Sequence, residues 1–475
     1  MAITADRLIA LLDGAPDIDE WIATETRTRR VGRDTGGGRP ARRSCDTVEL
    51  GAVVFRDSER GRGVARLWID ADSADEAQVR GLIARAAERA PLALGPGWAL
   101  PAPAAPARVA VADPDIVAEP VGVVDAAVAQ LGKADGRLCR VARARVDAEW
   151  RSHRAETSRG FASHYQSTAL ELDASIGPLA GPGRALLERA HTRVRSAAQL
   201  LVHRRAADAA RRAAWRAGAR PLEAGRYDVL LSPSALAGPL AELEPSSDAA
   251  GYGWFAPLVA HADAGWVRLG ISRYRPGQSV FHPPVGDDAV LDAVAGGRTG
   301  RGGSGAGREG DGDPLTLASD GTLAFAPLSA PFGDLGEPVR RFELVRAGAA
   351  AGLSLDYRES VLARTTPNGG VRNLVLSPGP NAAARLAEPG RDRLLAIDQL
   401  AWIDVDPRSG ALTAGIRLGE VRGGGAGPVR VSGGLLVGNA FALLARARLS
   451  SEVGSLGWYR GPTVVRIDGV DLVAG

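Results

Sequence analysis

The chain has 475 residues, of which 45% are hydrophobic and 24% charged, and this composition excludes the disordered and fibrous classes of protein. Its 58 basic residues, almost all arginine, exceed the 55 acidic residues by only three, which argues against a nucleic-acid-binding protein. Two cysteines and six histidines exclude a disulfide framework and a zinc site built mainly from thiolates.

The beginning of the chain predicts a short amphipathic helix and not a targeting segment. Residues 1–14 lack a basic n-region, Asp6 and Arg7 interrupt their apolar run, and no A-x-A cleavage site follows. Thr4 is placed to cap the helix and Gly14 to end it. Because no segment reaches the ~18 apolar residues of a membrane span, and because two unpaired thiols fit a reducing compartment, the sequence predicts a cytoplasmic protein without a membrane partner.

The first part of the chain predicts an N-terminal α+β domain over residues 1–90. Alternating apolar and polar residues predict strands over 18–31, 48–55 and 64–70, and an amphipathic helix follows them. Residues 91–118 are rich in proline and alanine, and such a composition is typical of an extended linker.

The next part, residues 119–224, predicts a central region made of a helix, a hairpin and a long helix. The first helix is expected over 121–131. Alternation over 141–154 and 161–176, with a turn between them, indicates a β-hairpin. Alanine, arginine and leucine then recur at helical spacing over 184–216, which favours a long helix.

The remainder, residues 225–475, predicts a β-rich C-terminal domain. A short buried strand over 227–231 leads into a helix over 233–243, interrupted by its glycine and proline, and short β segments follow from Trp266 onward. The glycine-rich insertion at 296–313 is expected to be mobile. The predicted fold class is therefore α+β, with N-terminal α/β units containing antiparallel strands and a long helix, and a barrel-like, β-rich C-terminal domain.

No nucleotide-binding or metal-binding motif stands out in the sequence. Gly305 to Gly310 formally fits G-x-G-x-x-G, but glycines precede it and no strand–turn–helix context surrounds it, so a flexible loop is favoured. No two histidines have the spacing of a zinc-peptidase helix, and exposed or packed histidines are the simpler interpretation. The arginine-rich segment 204–220 favours a solvated face or an acidic partner over nucleic acid.

The candidate nucleophiles are equally indistinct. Ser232 and Ser234 flank a proline at a strand-to-helix junction, but G-x-S-x-G is absent and Ser234 is well placed as a helix cap. Cys45 and Cys139 lie near arginines, which would lower a thiol pKa. Structural or exposed free cysteines are the favoured interpretation of both.

Short motifs over most of the chain follow one another in an order that resembles a known family. They are Thr157-Ser-Arg-Gly160, the strand and helix over 220–243, Gly277-Gln-Ser279-Val-Phe281, Val285-Gly-Asp, Asp313-Pro-Leu, Asp320-Gly321, Gly336-Glu-Pro338, the segment Asn373 to Gly379 (NLVLSPG), Ser409-Gly410, Gly419-Glu420 and Gly438-Asn439. Each is weak alone, but in this order and spacing they resemble the TldD/PmbA family of modulators of peptide processing.

The resemblance implies a pair of related subunits. In this family a TldD-like subunit carries a helical H-E-x-x-x-H zinc motif and a further cysteine ligand, and a PmbA-like (TldE) subunit has the same fold without that site. The motif helix corresponds to the one starting here at Pro233, where residues 240–245 (LAELEP) contain no histidine, and no cysteine follows Cys139. The resemblance thus implies the PmbA/TldE-like subunit, with no catalytic or metal-binding residue and no cofactor of its own.

The first hypothesis is accordingly a non-catalytic, peptide-binding subunit of a TldD/TldE-type heterodimeric zinc metallopeptidase. Its partner would hold the zinc, and the pair would degrade unfolded peptides or remove leader peptides. The family motifs give five candidate contacts to peptide or partner, which are Ser279, Asn373, Gly379, Gly438 and Asn439. Two alternatives stay open: a stand-alone peptide-binding protein, and a hydrolase with an unrecognised nucleophile such as Ser234 or Cys139.

Overall fold

The computed structural model describes ten stretches of the chain in two compact units. The described residues are 3–36, 41–71, 74–100, 102–179, 187–239, 241–242, 249–281, 312–390, 392–423 and 427–474. The first unit comprises Met1–Ala214, Gly321–Arg341 and Leu355–Arg372, and the second comprises Trp215–Asp320, Phe342–Ser354 and Asn373–Gly475. Residues 296–311 of the predicted glycine-rich insertion lie outside the described residues.

The described part of the chain contains strands of very different lengths. They are β1 (Glu20–Thr35), β2 (Ala41–Ser58), β3 (Gly61–Asp70), β4 (Leu94–Gly95), β5 (Arg140–Thr157), β6 (Ala162–Gly177), β7 (Glu188–Val194), β8 (Arg220–Pro221), β9 (Gly225–Leu231), β10 (Leu317–Asp320), β11 (Arg341–Arg346), β12 (Ala349–Ala350), β13 (Asn373–Leu376), β14 (Leu394–Val405), β15 (Ala411–Arg422), β16 (Val429–Ser432), β17 (Leu435–Asn439), β18 (Arg448–Leu449), β19 (Val453–Leu456), β20 (Tyr459–Pro462) and β21 (Val465–Val473).

The helices are mostly short. They are α1 (Ala5–Asp13), α2 (Glu76–Arg89), α3 (Pro114–Ala118), α4 (Pro120–Ala134), α5 (Ala197–Leu200), α6 (Val202–Ala217), α7 (Pro233–Ala237), α8 (Ala256–His261), α9 (Ala264–Arg268), with three more over Tyr357–Leu362, Ala383–Leu386 and Ala440–Leu444 and 3₁₀ segments over Ala90–Leu92 and Ala249–Phe255. No helix within the described ranges has the length and apolar content needed to cross a membrane.

The first unit is built on a seven-stranded antiparallel sheet with the strand order β4-β3-β2-β1-β5-β6-β7. The central strand β1 pairs with β2 on one side and β5 on the other, so that Thr26 lies opposite both Glu49 and His153. One sheet therefore runs from the region predicted as the N-terminal domain into the predicted central region. The first unit follows the chain without interruption as far as Ala214.

The two faces of this sheet differ in chemistry because side chains alternate along each strand. Helices α1, α2, α4 and α6 cover one face and pack against the apolar side chains that point toward them, among them Leu50, Val54, Val146 and Leu172. The alternate positions form the other face, which carries the polar side chains of Thr26, Glu49, His153 and Ser167 beside an apolar patch that includes Phe55. This second face is called the polar face below.

Several sequence-based predictions for the first unit are confirmed. The hydroxyl of Thr4 accepts a hydrogen bond from the backbone N–H of Arg7 at 3.3 Å, and α1 ends at Gly14. The five predicted strands and the helix over 121–131 are present, although most extend further than predicted because their neighbours continue the pairing. The predicted linker over 91–118 contains β4 and α3.

The predicted long helix over 184–216 is wrong. Residues Glu188–Val194 form β7, which pairs antiparallel with β6, and the helix α6 starts only at Val202. Glu188, Ala190 and Thr192 are buried while the intervening side chains are less so, which is the alternation of a strand. The open edge of β6 offers backbone hydrogen bonds to this segment, and that pairing overrides the helical propensity of its alanine and arginine residues.

The second unit contains a sheet and a barrel. The sheet has the order β12-β11-β10-β13-β20-β19. Strands β14, β9, β21, β17 and β15 follow one another around a closed barrel, because β14 also pairs with β15. The predicted α+β class and barrel-like C-terminal region are confirmed. The predicted β segments from Trp266 onward are wrong at their start, since Trp266 lies in α9 and the next described strand begins at Leu317.

Candidate functional site

The helix at which the resemblance would place a zinc motif is α7, which follows directly from β9. The hydroxyl of Ser232 accepts a hydrogen bond from Ala235 N at 3.1 Å and donates one to Asp398 O at 2.9 Å. Ser232 is thus the N-cap, and the predicted cap Ser234 lies inside the helix. The helix ends at Ala237 because Gly238 adopts φ 84°, so the predicted helix over 233–243 is wrong in its second half.

The surroundings of α7 are apolar. Ala235, Leu236 and Ala237 are buried, and they face the 3₁₀ segment in which Trp254 and Phe255 are fully buried. The two backbones are in direct contact, since a Cβ atom at Gly253 would lie 2.6 Å from the carbonyl oxygen of Leu236. The space beside α7 is therefore filled by aliphatic and aromatic packing.

These residues do not fit a zinc site. The chain has no histidine between His203 and His261. The imidazole of His261 is fully used, because Nε2 donates to Arg408 O at 2.9 Å and Nδ1 accepts from Arg273 N at 3.2 Å. Burial lowers its pKa, which keeps the ring neutral. Throughout the described ranges no group of three or more His, Cys, Asp and Glu side chains is arranged to hold a metal ion.

The candidate nucleophile Cys139 is equally unsuited to chemistry. Its side chain is fully buried, and its thiol lies 3.6 Å from the carbonyl oxygen of Ala134. Burial, and then the negative charge of Asp135, raises the pKa of this thiol above its ordinary value. A raised pKa disfavours the thiolate, which is the nucleophilic form. Cys45 is exposed on β2.

A hairpin formed by β19 and β20 packs beside α7. The ring of Trp458 contacts that of Tyr252 edge-on at 5.0 Å, and Tyr459 stacks on Phe255 at 6.0 Å. Its turn requires a glycine at Gly457, which has φ 53° and whose Cβ would lie 1.7 Å from the carbonyl oxygen of Ala241. Aromatic contacts and a close backbone approach therefore hold the hairpin in place next to α7.

Strand β19 is the outermost strand of its sheet in the described part of the chain. Thr463 N donates to Glu452 O at 2.8 Å across the hairpin. Since antiparallel pairs alternate between hydrogen-bonded and non-hydrogen-bonded positions, the N–H and C=O groups of Val453 and Ser455 point away from β20. Both residues are exposed. The edge thus presents the outward-facing N–H and C=O groups of two residues, and an added strand could pair with them.

Two of the predicted contact residues have architectural roles. Asn373 is buried at the start of β13 and donates from Nδ2 to Asp320 O at 2.8 Å. Asn439 caps the helix Ala440–Leu444, accepting from Phe441 N at 3.0 Å, and its Nδ2 donates to Ser409 O at 2.9 Å. These asparagines join strands and turns of the second unit.

The other three predicted contacts lie at separate places. Gly379 lies where a Cβ would be 2.4 Å from the carbonyl oxygen of Leu449, so its backbone approach needs glycine. Gly438 lies within β17. Ser279 is exposed, pairs with Ala349 in an isolated bridge, and accepts a hydrogen bond from Phe281 N at 3.2 Å. A role for any of the five in holding peptide or partner stays a prediction.

The β19 edge was missed in the sequence. Its signal is weak, because Val453 to Leu456 is only four residues long and contains a glycine and a serine. The Gly457-Trp458 pair between two short runs is a two-residue turn of the kind that joins antiparallel strands. That signal predicts a hairpin, but nothing in the sequence says that one of its strands lies at the edge of a sheet.

Comparison with known proteins identifies relatives of this fold. Residues 305–474 match the sequence profile of the PmbA/TldA metallopeptidase C-terminal domain. The crystal structure of TldE from Thermococcus kodakarensis is 17% identical, with a TM-score of 0.69 over 98% of this chain and 99% of that one. No curated protein sequence matches the chain.

Two further crystal structures, both of proposed modulators of DNA gyrase, share the fold. The protein from Bacteroides thetaiotaomicron is 15% identical and covers 100% of both chains with a TM-score of 0.73. The protein from Thermotoga maritima is 16% identical, with a TM-score of 0.70 over 98% of this chain and 99% of that one. At these identities the likeness establishes a common fold over the whole length of the chain.

Proposed function

We propose that the chain is a TldD/PmbA-type protein, since residues 305–474 match the C-terminal domain of that family, and that it is the non-catalytic, peptide-binding subunit of a heterodimeric zinc metallopeptidase. The observation that carries this proposal is the packing around α7, where the family's zinc helix is replaced by five residues without a metal ligand and the adjacent space is filled by Trp254 and Phe255. The zinc ion and the glutamate that activates water would belong to a TldD-like partner.

The peptide would be held in an extended conformation. An edge strand with outward-facing backbone groups binds such a segment by adding it to the sheet, with main-chain hydrogen bonds giving affinity for peptides of many sequences. Strand β19 has this geometry and lies beside α7. The substrates would be unfolded peptides or the leader parts of larger precursors in the cytoplasm, since a folded protein offers no free extended segment.

Purification of this chain alone and together with a TldD-like protein tests the proposal. Zinc content is measured by elemental mass spectrometry, and cleavage is measured on an unfolded peptide. We expect zinc and cleavage only in the two-subunit complex. Stoichiometric zinc and cleavage by the chain alone would contradict the proposal. Failure to form a complex would favour a stand-alone peptide-binding protein instead.

The role of β19 is tested by two substitutions at one position. Ser455→Pro removes the outward N–H of the edge strand, whereas Ser455→Ala keeps it and is the matched control. We expect the proline variant, in the two-subunit complex, to raise the KM for the peptide several-fold while the alanine variant behaves as the unmodified protein. Circular dichroism verifies that both variants fold. Equal KM values for the two variants would rule out strand addition at β19.

A further inference from the structure

An exposed tryptophan lies on the polar face of the sheet in the first unit. Trp68, on β3, is 71% exposed although it is the largest kind of apolar side chain. Its cross-strand partner is Gly51, and a Cβ atom at that position would lie 3.0 Å from Cζ3 of Trp68. The benzo ring of the indole therefore lies against Gly51, while most of the side chain is exposed to solvent.

Two carboxylates lie next to this indole on the same face. Glu49 and Asp70 are direct cross-strand partners, and both are exposed. Like charges directly opposite each other in a sheet repel, so this pair makes the surface beside the indole electronegative. The carboxylate of Glu49 makes no hydrogen bond or ion pair with any residue in the described ranges. The two carboxylates and Trp68 border an open cavity of about 700 Å³, together with Thr47.

We infer that this surface binds an arginine or lysine side chain of a peptide. A cation over the face of a tryptophan is attracted by the ring quadrupole, and this interaction is worth more where neighbouring groups displace water. Glu49 supplies an unpaired negative charge beside the ring. The inference rests on the proposed peptide-binding function and deepens it, because it names peptides with basic residues as the substrate class.

The charge pattern also fixes the direction of the bound side chain. Residues two apart on a strand share a face, so Arg66 flanks the indole on the side opposite Asp70. Its positive charge disfavours a cation on that side. The guanidinium or ammonium group is therefore placed between the indole and Glu49.

A second tryptophan shows which part of this arrangement is only structural. Trp402, on β14, is 45% exposed and lies over Gly415, where a Cβ would be 2.5 Å from its Nε1. A tryptophan thus packs over a cross-strand glycine at two places in the described chain, Trp68 over Gly51 and Trp402 over Gly415. The neighbouring cross-strand pair at Trp402 is Asp404 with Thr413, so the opposed pair of carboxylates distinguishes Trp68.

The test uses the full chain and two fluorescently labelled, unfolded peptides that are identical except that one has arginine where the other has citrulline. Fluorescence anisotropy measures both dissociation constants at 0.15 M salt. We expect the arginine peptide to bind at least about tenfold more tightly, and Trp68→Ala to weaken it about tenfold. Glu49→Gln should weaken it several-fold, and Trp68→Phe should retain part of the affinity.

Trp402→Ala and Arg66→Ala are the matched controls, and neither should weaken binding. Equal affinity for the two peptides, no measurable binding of either one, or unchanged affinity in Trp68→Ala would overturn the inference. These outcomes are separable from the proposed function, because complex formation with a zinc-bearing subunit and cleavage of a peptide without basic residues do not depend on Trp68.

Discussion

Arg466 and Asp228 form a buried ion pair between the neighbouring strands β21 and β9, with 2.6 Å between Nη2 and Oδ2 and 8% of each side chain exposed. The remaining polar atoms are also satisfied. Nη1 of Arg466 donates to Leu386 O at 3.0 Å and to Glu388 O at 2.6 Å, and Asp228 Oδ1 accepts from Gly469 N at 3.1 Å. The pair thus joins two barrel strands to the segment that covers them.

Removal of one partner should be costly. We expect Arg466→Met to lower the free energy of unfolding by about 3–5 kcal/mol, because it leaves the buried charge of Asp228 without its cationic partner. Urea denaturation followed by circular dichroism measures the change. The double variant Asp228→Leu/Arg466→Met should lose less unfolding free energy than Arg466→Met alone, because no unpaired charge is left buried. Arg393→Met, which breaks the exposed pair with Glu223, should cost less than about 1 kcal/mol.

Acidification below pH 5 should destabilise the first unit through Glu171. A hydrogen bond from His191 at 3.0 Å, together with the charges of Arg30 and Arg193, lowers the pKa of Glu171 to about 2. Because the folded-state pKa is below the unfolded one, this stabilisation is complete above about pH 5 and is lost as the pH falls toward 2.

The matching variant is Glu171→Gln, whose unfolding free energy should depend less on pH in this window. Between pH 5 and pH 2 the unmodified protein should lose about 1 kcal/mol more unfolding free energy than Glu171→Gln. The value is small because solvent screening reduces what the pKa shift implies. Denaturation series at pH 5, 4, 3 and 2 measure it. Parallel curves for the two proteins would show that Glu171 is not stabilised as a carboxylate.

His153 should behave differently, in a higher pH window. Burial, then the charges of Arg151 and Arg195, lowers the pKa of His153 to about 4. The unfolded chain binds the proton near pH 6.5, so the folded state loses stability as the pH falls from 6.5 to 4. Replacement by glutamine should flatten this part of the stability curve, and the NMR signals of the ring should not titrate between pH 5 and 8.

The turn of the β19–β20 hairpin should tolerate no side chain. Gly457→Ala places a methyl group against the Ala241 carbonyl in a left-handed conformation, and we expect a loss of about 2–4 kcal/mol in thermal or urea unfolding. Gly427→Ala is the control, since no atom lies within 4 Å of its Cβ position and it should change stability little. Unchanged stability in Gly457→Ala would mean that the hairpin packs differently.

The sequence predicts those features that depend on local patterns. Alternation located the strands of the first sheet, and the Thr4 cap located α1, because both signals lie within a few residues. The segment Glu188–Val194 could not be predicted in this way, since its conformation depends on the open edge of β6. The pairing of β1 with both β2 and β5 is likewise invisible, because β5 begins more than one hundred residues after β1 ends.

The candidate site follows the same division. The absence of histidine and cysteine over 233–245 is a property of the sequence itself. By contrast, the exposed edge of β19 and the position of Trp68 beside Glu49 depend on strand order. Asn373 and Asn439 were predicted as contacts because they lie in the family motifs. In the structure both donate hydrogen bonds that join strands and turns.

The early end of α7 has a consequence for how this chain is able to evolve. An H-E-x-x-x-H motif spans six residues, whereas α7 has five, and the chain leaves the helical path at Gly238. A Cβ atom at Gly253 would lie 2.6 Å from the carbonyl oxygen of Leu236 and 2.9 Å from that of Ala237, so another backbone segment packs closely on the end of α7. Point substitutions to histidine would not rebuild a metal site here. If the chain is the non-catalytic subunit proposed above, a zinc site of its own would require remodelling of the backbone at α7, and its dependence on a partner would be difficult to reverse.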